Sequence, residues 1–361
     1  MLFGAMIQPR IDDPDLPREI ERLGFDSLWV PDSHMISSDC YAVLTLAAVN
    51  TQRIRLGTGV SIAGTRIAPV TAHSIATINR LAPGRVFLGL GTGHTAMRTM
   101  GYDPVGPTEF REYLRVVRAL LRTGQAEFDW RGKSRHIGFL HRQLGLIDIE
   151  HPIPILVAAN GPRALLAAGE FGDGRVSADN EPPEALAASM AQIRAGAAAA
   201  GRTLPADYHT ATLAFTCVLR PGETLESERV IEQVGPMTTA YLHYWYEWYK
   251  KSGSDDAVPR EIFADFREYL EHVGKMETPE DRRYLEIHDG HCTYLVASER
   301  RFVRPNVIRA ARGFVGEPDE IIEMLRERER GGLRELAILP PIHCAREVFA
   351  DFASQVIARY R

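Results

Sequence analysis

The stretch "RVFLGLGTGHTAMRTMG" at residues 85–101 decides between two folds. An apolar run leads into Gly91, Gly93 and Ala96, spaced G-x-G-x-x-A as in a dinucleotide-binding turn. That turn needs a helix opening on the last small residue, so that its free amides face a pyrophosphate. The next clear helical pattern here starts only near residue 108. The intervening HTAMRTMGYDPVGP, with its glycines and prolines, reads as a loop holding at most one short helical turn. The stretch is also the fourth strand-and-helix unit of the chain, not the first. At the end of a barrel strand, Gly91-Thr92-Gly93 is either an ordinary turn or a floor that a flat ring can approach, because glycine has no Cβ to hold it off.

On both sides of this stretch, short apolar runs alternate with amphipathic ones from the first residue to about residue 220. Strands are expected at 3–8, 27–31, 54–60, 85–91, 154–159, 174–178 and 208–219. Helices are expected at 14–23, 40–50, 69–81, 108–122, 162–171 and 182–201. After a capped helix at 317–330 and a Gly-Gly stop, LRELAIL supplies an eighth strand, followed by a closing helix at 344–359. Eight βα units predict a closed α/β fold, a TIM-like (β/α)8 barrel, whereas an open doubly wound sheet usually stops at fewer strands. Residues 222–312 break the alternation. They are expected to be a helical insertion between strands seven and eight, a lid within a single 1–361 barrel domain.

The totals exclude several classes. An apolar fraction of 45% and a charged fraction of 25% provide material for a large core. A net charge of −5, with both signs dispersed, gives no basic field for nucleic acid. Cys40, Cys217, Cys292 and Cys344 are far apart, which fits free thiols better than a zinc site or a disulfide framework. No stretch approaches the roughly 20 apolar residues of a membrane helix, and the N-terminus lacks a secretion signal, so a cytoplasmic protein is expected.

The motif order resembles the luciferase-like flavin monooxygenase superfamily, in "GFDSLWVPDSH" (24–34), "RIRLGTGVSIAGTRIAPVTAHSIATINRLAPGRVFLGLGTG" (53–93) and "PIPILVAANGPRALLAAGEFGDG" (152–174). It is most similar to the branch of methylenetetrahydromethanopterin reductase and other enzymes of the deazaflavin coenzyme F420. The similarity covers about 1–220 and 313–361, leaving the insertion unmatched. The resemblance implies a flavin-type ring, F420 or FMN, at the C-terminal ends of the strands. It implies a non-prolyl cis peptide at Gly59-Val60 supporting that ring and an acidic contact from Asp32, for which an exposed turn or helix cap is the alternative. Thr92 and Gly93 match the cofactor turn. Ala158, Ala159, Asn160 and Gly161 match the passage for the ribityl and phosphate groups, with Arg163 opening the next helix. Two departures stand out: Asp32-Ser33-His34 replaces a common Asp-His, and His94 takes the place of a common acidic residue.

Imidazoles at strand ends make His34 and His94 candidate proton donors, with an ordinary structural role as the alternative for each. Tyr241, Tyr244, Trp245, Trp248 and Tyr249 fall on one helical face, either lid core or an aromatic wall in which Trp245 would meet substrate. His288 and His291 are expected to reach over the substrate. The H-D-G-H spacing fits no regular zinc pattern, so no metal is expected. The first functional reading is F420-dependent hydride transfer to or from a small organic substrate. The alternatives are a two-component monooxygenase that uses FMNH2 and O₂ and a non-catalytic flavin-binding protein. The implied partners are a separate flavin or F420 reductase and a second copy of the chain in a homodimer.

Overall fold

A computed structural model describes residues 1–361. Eight strands are present: β1 (Leu2–Met6), β2 (Ser27–Val30), β3 (Arg55–Thr58), β4 (Val86–Gly91), β5 (Ile155–Ala158), β6 (Gly174–Ser177), β7 (His209–Ala214) and β8 (Glu335–Ile338). They neighbour one another in the order β3-β2-β1-β8-β7-β6-β5-β4, and β3 pairs again with β4 through Leu56↔Val86 and Gly57↔Phe87, which closes the sheet. A closed parallel barrel excludes the open dinucleotide-binding sheet, and Gly93 is followed only by a five-residue helix, His94–Arg98.

The helices of the alternation are α1 (Leu16–Arg22), α2 (Cys40–Asn50), α3 (Ala68–Leu81), α4 (Pro107–Thr123), α5 (Pro162–Phe171) and α6 (Pro183–Ala199). Proline stands in the first turn of α3, α4, α5 and α6, where its missing N–H costs nothing. Two features depart from the expected pattern. A hairpin, Gln125–Trp130 with Lys133–Gly138, turns on Arg131 and Gly132, both at positive φ, in a region for which no element was expected. The run 208–219 is two strands: His209–Ala214 stays in the barrel, and Thr216–Val218 pairs instead with Phe314–Gly316.

The chain forms two compact units. The first comprises Met1–Arg98, Asp103–Leu213 and Glu327–Ala337, and the second Thr99–Tyr102, Ala214–Arg326 and Ile338–Arg361. Within the second run α7 (Glu228–Ser252), α8 (Phe263–Gly274), most of α9 (Pro318–Arg330) and α10 (Ala345–Phe352). Its core gathers Leu242, Trp245, Ile262, Phe266, Tyr269 and Phe302. All four cysteines are free, and no helix is long and apolar enough to cross a membrane.

At the N-terminal ends of the strands, Glu335 is 1% exposed. It accepts hydrogen bonds from Ser27 and from Trp29 Nε1 (2.7 Å) and pairs with His209 Nε2 at 2.8 Å. Gly4 makes this cluster possible, since a Cβ there would fall 2.6–2.8 Å from Ser27 Oγ, Trp29 Nε1 and Glu335 Oε1. Burial pushes the Glu335 carboxyl up, but the bonds from His209, Ser27 and Trp29 outweigh it and hold the group below its usual range. Because the folded value lies below the unfolded one, this stabilisation is present above the ordinary glutamate range and lost as pH falls through the folded value. The urea midpoint of the wild type should therefore fall more steeply below about pH 4.3 than that of Glu335→Gln. Superimposable acid profiles would contradict this account of the cluster.

Candidate active site at the strand ends

Four neighbouring strands, β2 to β5, end on one edge of the first unit. After β3, the Gly59-Val60 peptide is cis, and the chain resumes pairing with β4 through Ser61↔Leu90 and Ile62↔Gly91. Gly59 N–H donates to Val30 O at 2.8 Å, and Asp32 N–H to Val60 O at 3.4 Å. Val60 lies so close to β4 that a Cβ at Gly89 would sit 2.2 Å from Thr58 O and 3.0 Å from Val60 Cγ1. At Gly91 it would sit 2.7 Å from Val60 Cγ2 and 3.3 Å from Ala158 Cβ. The bare face of Gly91 is thus covered by Val60 and Ala158, so this glycine serves packing instead of lying open to a ring. Gly93 adopts φ +83°, a left-handed conformation that side chains disfavour, and turns the chain into the His94 helix.

Asp32 is buried, not an exposed turn residue. Its carboxylate accepts from Arg66 Nη1 at 3.0 and 2.9 Å and from Ser61 Oγ at 3.1 Å, and Tyr41 OH donates to that serine at 2.8 Å. Arg66 also pairs with Asp39, and its guanidinium lies 4.9 Å from the Tyr41 ring centroid. Asp39 in turn caps α2, accepting from the amides of Tyr41 (2.9 Å) and Ala42 (3.0 Å). The cap holds Asp39, Asp39 holds Arg66, and Arg66 fixes Asp32. Burial, then the Asp32 charge, pushes the Cys40 thiol far up, so it is no nucleophile.

Arg66, Ser61 and Tyr41 escaped the sequence reading. No spacing marks them; the only signal was that a buried aspartate requires a cationic partner. Of the expected residues, Thr92 is half-buried, and its carbonyl accepts from Val105 N–H at 3.0 Å. Ala158 is half-buried and Ala159 buried, while Asn160 Oδ1 accepts from Arg175 Nη2 (3.1 Å) and Ser177 Oγ (3.0 Å). Gly161 is exposed, with open space where a side chain would stand. Arg163 is exposed and lines a cleft of about 330 Å³ with Arg111, Glu170 and Gly196, on the helices α4, α5 and α6. His34 is half-buried, two residues beyond Asp32, and His94 is exposed.

Trp245, His288 and His291 belong to the second unit. The aromatic stripe does not act as one face: Tyr244, Trp248 and Tyr249 are exposed, whereas Trp245 is 5% exposed and packed with Leu242, Ile262 and Phe266. Its indole is core, and the expected substrate contact is withdrawn for that reason. His288 and His291 come together, joined by His243 of α7, which the sequence reading passed over.

A family model described as luciferase-like monooxygenase matches residues 12–335. The chain belongs to that family. It is 31% identical to the 5,10-methylenetetrahydromethanopterin reductase of Methanopyrus kandleri over 380 residues, covering 98% of this chain and 97% of that one. It is 37% identical to the corresponding reductase of Methanolobus tindarius over 209 residues, 56% of this chain and 61% of that protein's length, so this match spans less than two thirds of the relative. The solved coenzyme F420-dependent tetrahydromethanopterin reductase of Methanopyrus kandleri superposes with a TM-score of 0.70 at 22% identity, over 100% of this chain and 99% of that one, which shows the shared barrel.

The two charges of the Asp32 pair are not equivalent. Arg66→Ala leaves a buried carboxylate without its cation and should cost about 3–5 kcal/mol of unfolding free energy. Asp32→Asn leaves Arg66 with Asp39, and should cost roughly 1 kcal/mol, the size of one lost hydrogen bond. Equal losses in urea denaturation would contradict the proposed order of support.

Proposed function

We propose that this protein is an F420-dependent oxidoreductase that transfers hydride to or from a small organic substrate. The observation that carries the reading is the buried Asp32, fixed by Arg66 and Ser61 beside the Gly59-Val60 ledge. The family resemblance assigns that position to the acidic contact of F420 enzymes, and the similarity to methylenetetrahydromethanopterin reductase along nearly the whole chain supports it. The residues fit such a group: Val60 and Ala158, which cover Gly91, form a ledge of small apolar surface, and the charged pair stands at one side of it. F420, when bound, supplies the carbon that donates or accepts hydride.

In this reading, Gly59, Val60, Thr92 and Gly93 would hold the ring through backbone and small side chains. Ala158 and Ala159 leave room for the ribityl chain, and the start of α5 at Asn160 and Gly161 offers free amides to the phosphate, with Arg163 adding positive charge nearby. His34 and His94 exchange the proton that accompanies hydride transfer at the substrate heteroatom. The FMN-dependent oxygenase reading is supported by the shared barrel alone and ranks second.

Anaerobic mixing with F420 and a panel of alcohols, enones and imines tests the proposal. Substrate-dependent change in F420 absorbance is expected, with no oxygen uptake when reduced FMN is supplied instead. Oxygen consumption with reduced FMN and no F420 turnover would reverse the assignment. Asn at whichever of His34 and His94 carries the proton should lower turnover by about 10²–10⁴ with F420 affinity intact. Full turnover in both variants would remove the imidazoles from this role.

A further inference from the structure

We propose that His243, His288 and His291 form a binding site for a divalent transition-metal ion of the zinc class. One ring nitrogen of each lies within 4.8 Å of those of the other two, and the ring centroids are 5.3–6.1 Å apart. His243 comes from α7, and His288 and His291 from the turn after the short helix Tyr284–Ile287. The ligands are therefore distant in sequence, which is why the spacing of H-D-G-H alone argued against a metal. All three belong to the second unit, and the proposal stands independently of the cofactor reading.

A carboxylate engages one ring nitrogen in each of two of these imidazoles. His243 Nε2 meets Glu299 Oε1 at 3.0 Å and Oε2 at 3.1 Å, and His288 Nε2 meets Glu247 Oε1 at 2.8 Å. A neutral imidazole that donates to a carboxylate through Nε2 presents Nδ1 as a bare lone pair. His243 and His288 are 1% and 7% exposed, and both Nδ1 atoms are buried without a hydrogen-bond partner. Two buried lone pairs beside a third imidazole are the donor set of a three-histidine site, and carboxylates behind ligating histidines are the usual means of fixing tautomer and ring orientation. Glu247 and Glu299 also bring two negative charges, which a dication balances. Nitrogen ligands number three, which leaves a fourth position for water or an oxygen ligand.

The test is a titration of the chelator-treated, full-length protein with Zn²⁺ by calorimetry and with Co²⁺ by visible absorption. The proposal predicts one ion per chain with a Kd of about 1 μM or tighter, and Co²⁺ d–d bands of a low-coordinate nitrogen site. Glu247→Gln should loosen binding by about 10–100-fold, and His291→Gln by at least as much, each with unchanged far-UV circular dichroism. No saturable binding by the wild type would overturn the site and leave the two lone pairs to a water. Affinity unchanged in both variants would place the ion elsewhere and overturn it as well. The wild-type titration and Co²⁺ spectrum decide the matter even if a histidine variant fails to fold.

Discussion

The Thr58 carbonyl and the Val60 side chain press against β4 so closely that neither position 89 nor position 91 has room for a side chain. From that contact follow the re-pairing of Ser61–Ile62 with β4, the place of the Asp32 amide on the Val60 carbonyl, and a ledge of small surface that continues to Ala158. The barrel closes between β3 and β4, so the same contact lies beside the seam of the fold and beside the candidate site.

Buried charge is used at both ends of the strands, to different ends. Glu335, Ser27, Trp29 and His209 form an inward cluster at the strand starts, where conservation of shape and stability is the expected role. At the strand ends, Arg66 pairs with the buried Asp32 carboxylate and ties it through Asp39 to the cap of α2. A buried ion pair is weak evidence for stability alone, because removing two charges from water costs about what their attraction returns. The proposed role of the pair is to position a ligand beside the ledge built from backbone and small side chains.

Much of this was legible from sequence. All eight strands and the order of helices follow from periodicity, because fully buried parallel strands read as apolar runs between helical stripes. The hairpin at 125–138 was not, since most of its residues are exposed and Ala126, Phe128 and Trp130 supply only a faint alternation. Asp32 was marked by resemblance, but its cation was not, because Arg66 lies in a loop where sequence spacing carries no information about contact. The aromatic stripe misled for a related reason. Helical periodicity tells which residues share a face but not where that face meets core, so Trp245 is buried while Tyr244 and Trp248 are exposed.

The most direct test of the central claim is an anaerobic fluorescence titration of the wild type and Gly91→Val with F420, with the thermal midpoint of both recorded alongside. If the ledge formed by Val60 over β4 carries the ring, the wild type binds with a Kd of about 1–10 μM or tighter. A folded Gly91→Val protein, with Val60 displaced, then binds at least about tenfold more weakly, a loss of roughly 1.4 kcal/mol. Equal affinity in the two proteins, or no F420 binding by the wild type, would contradict the account.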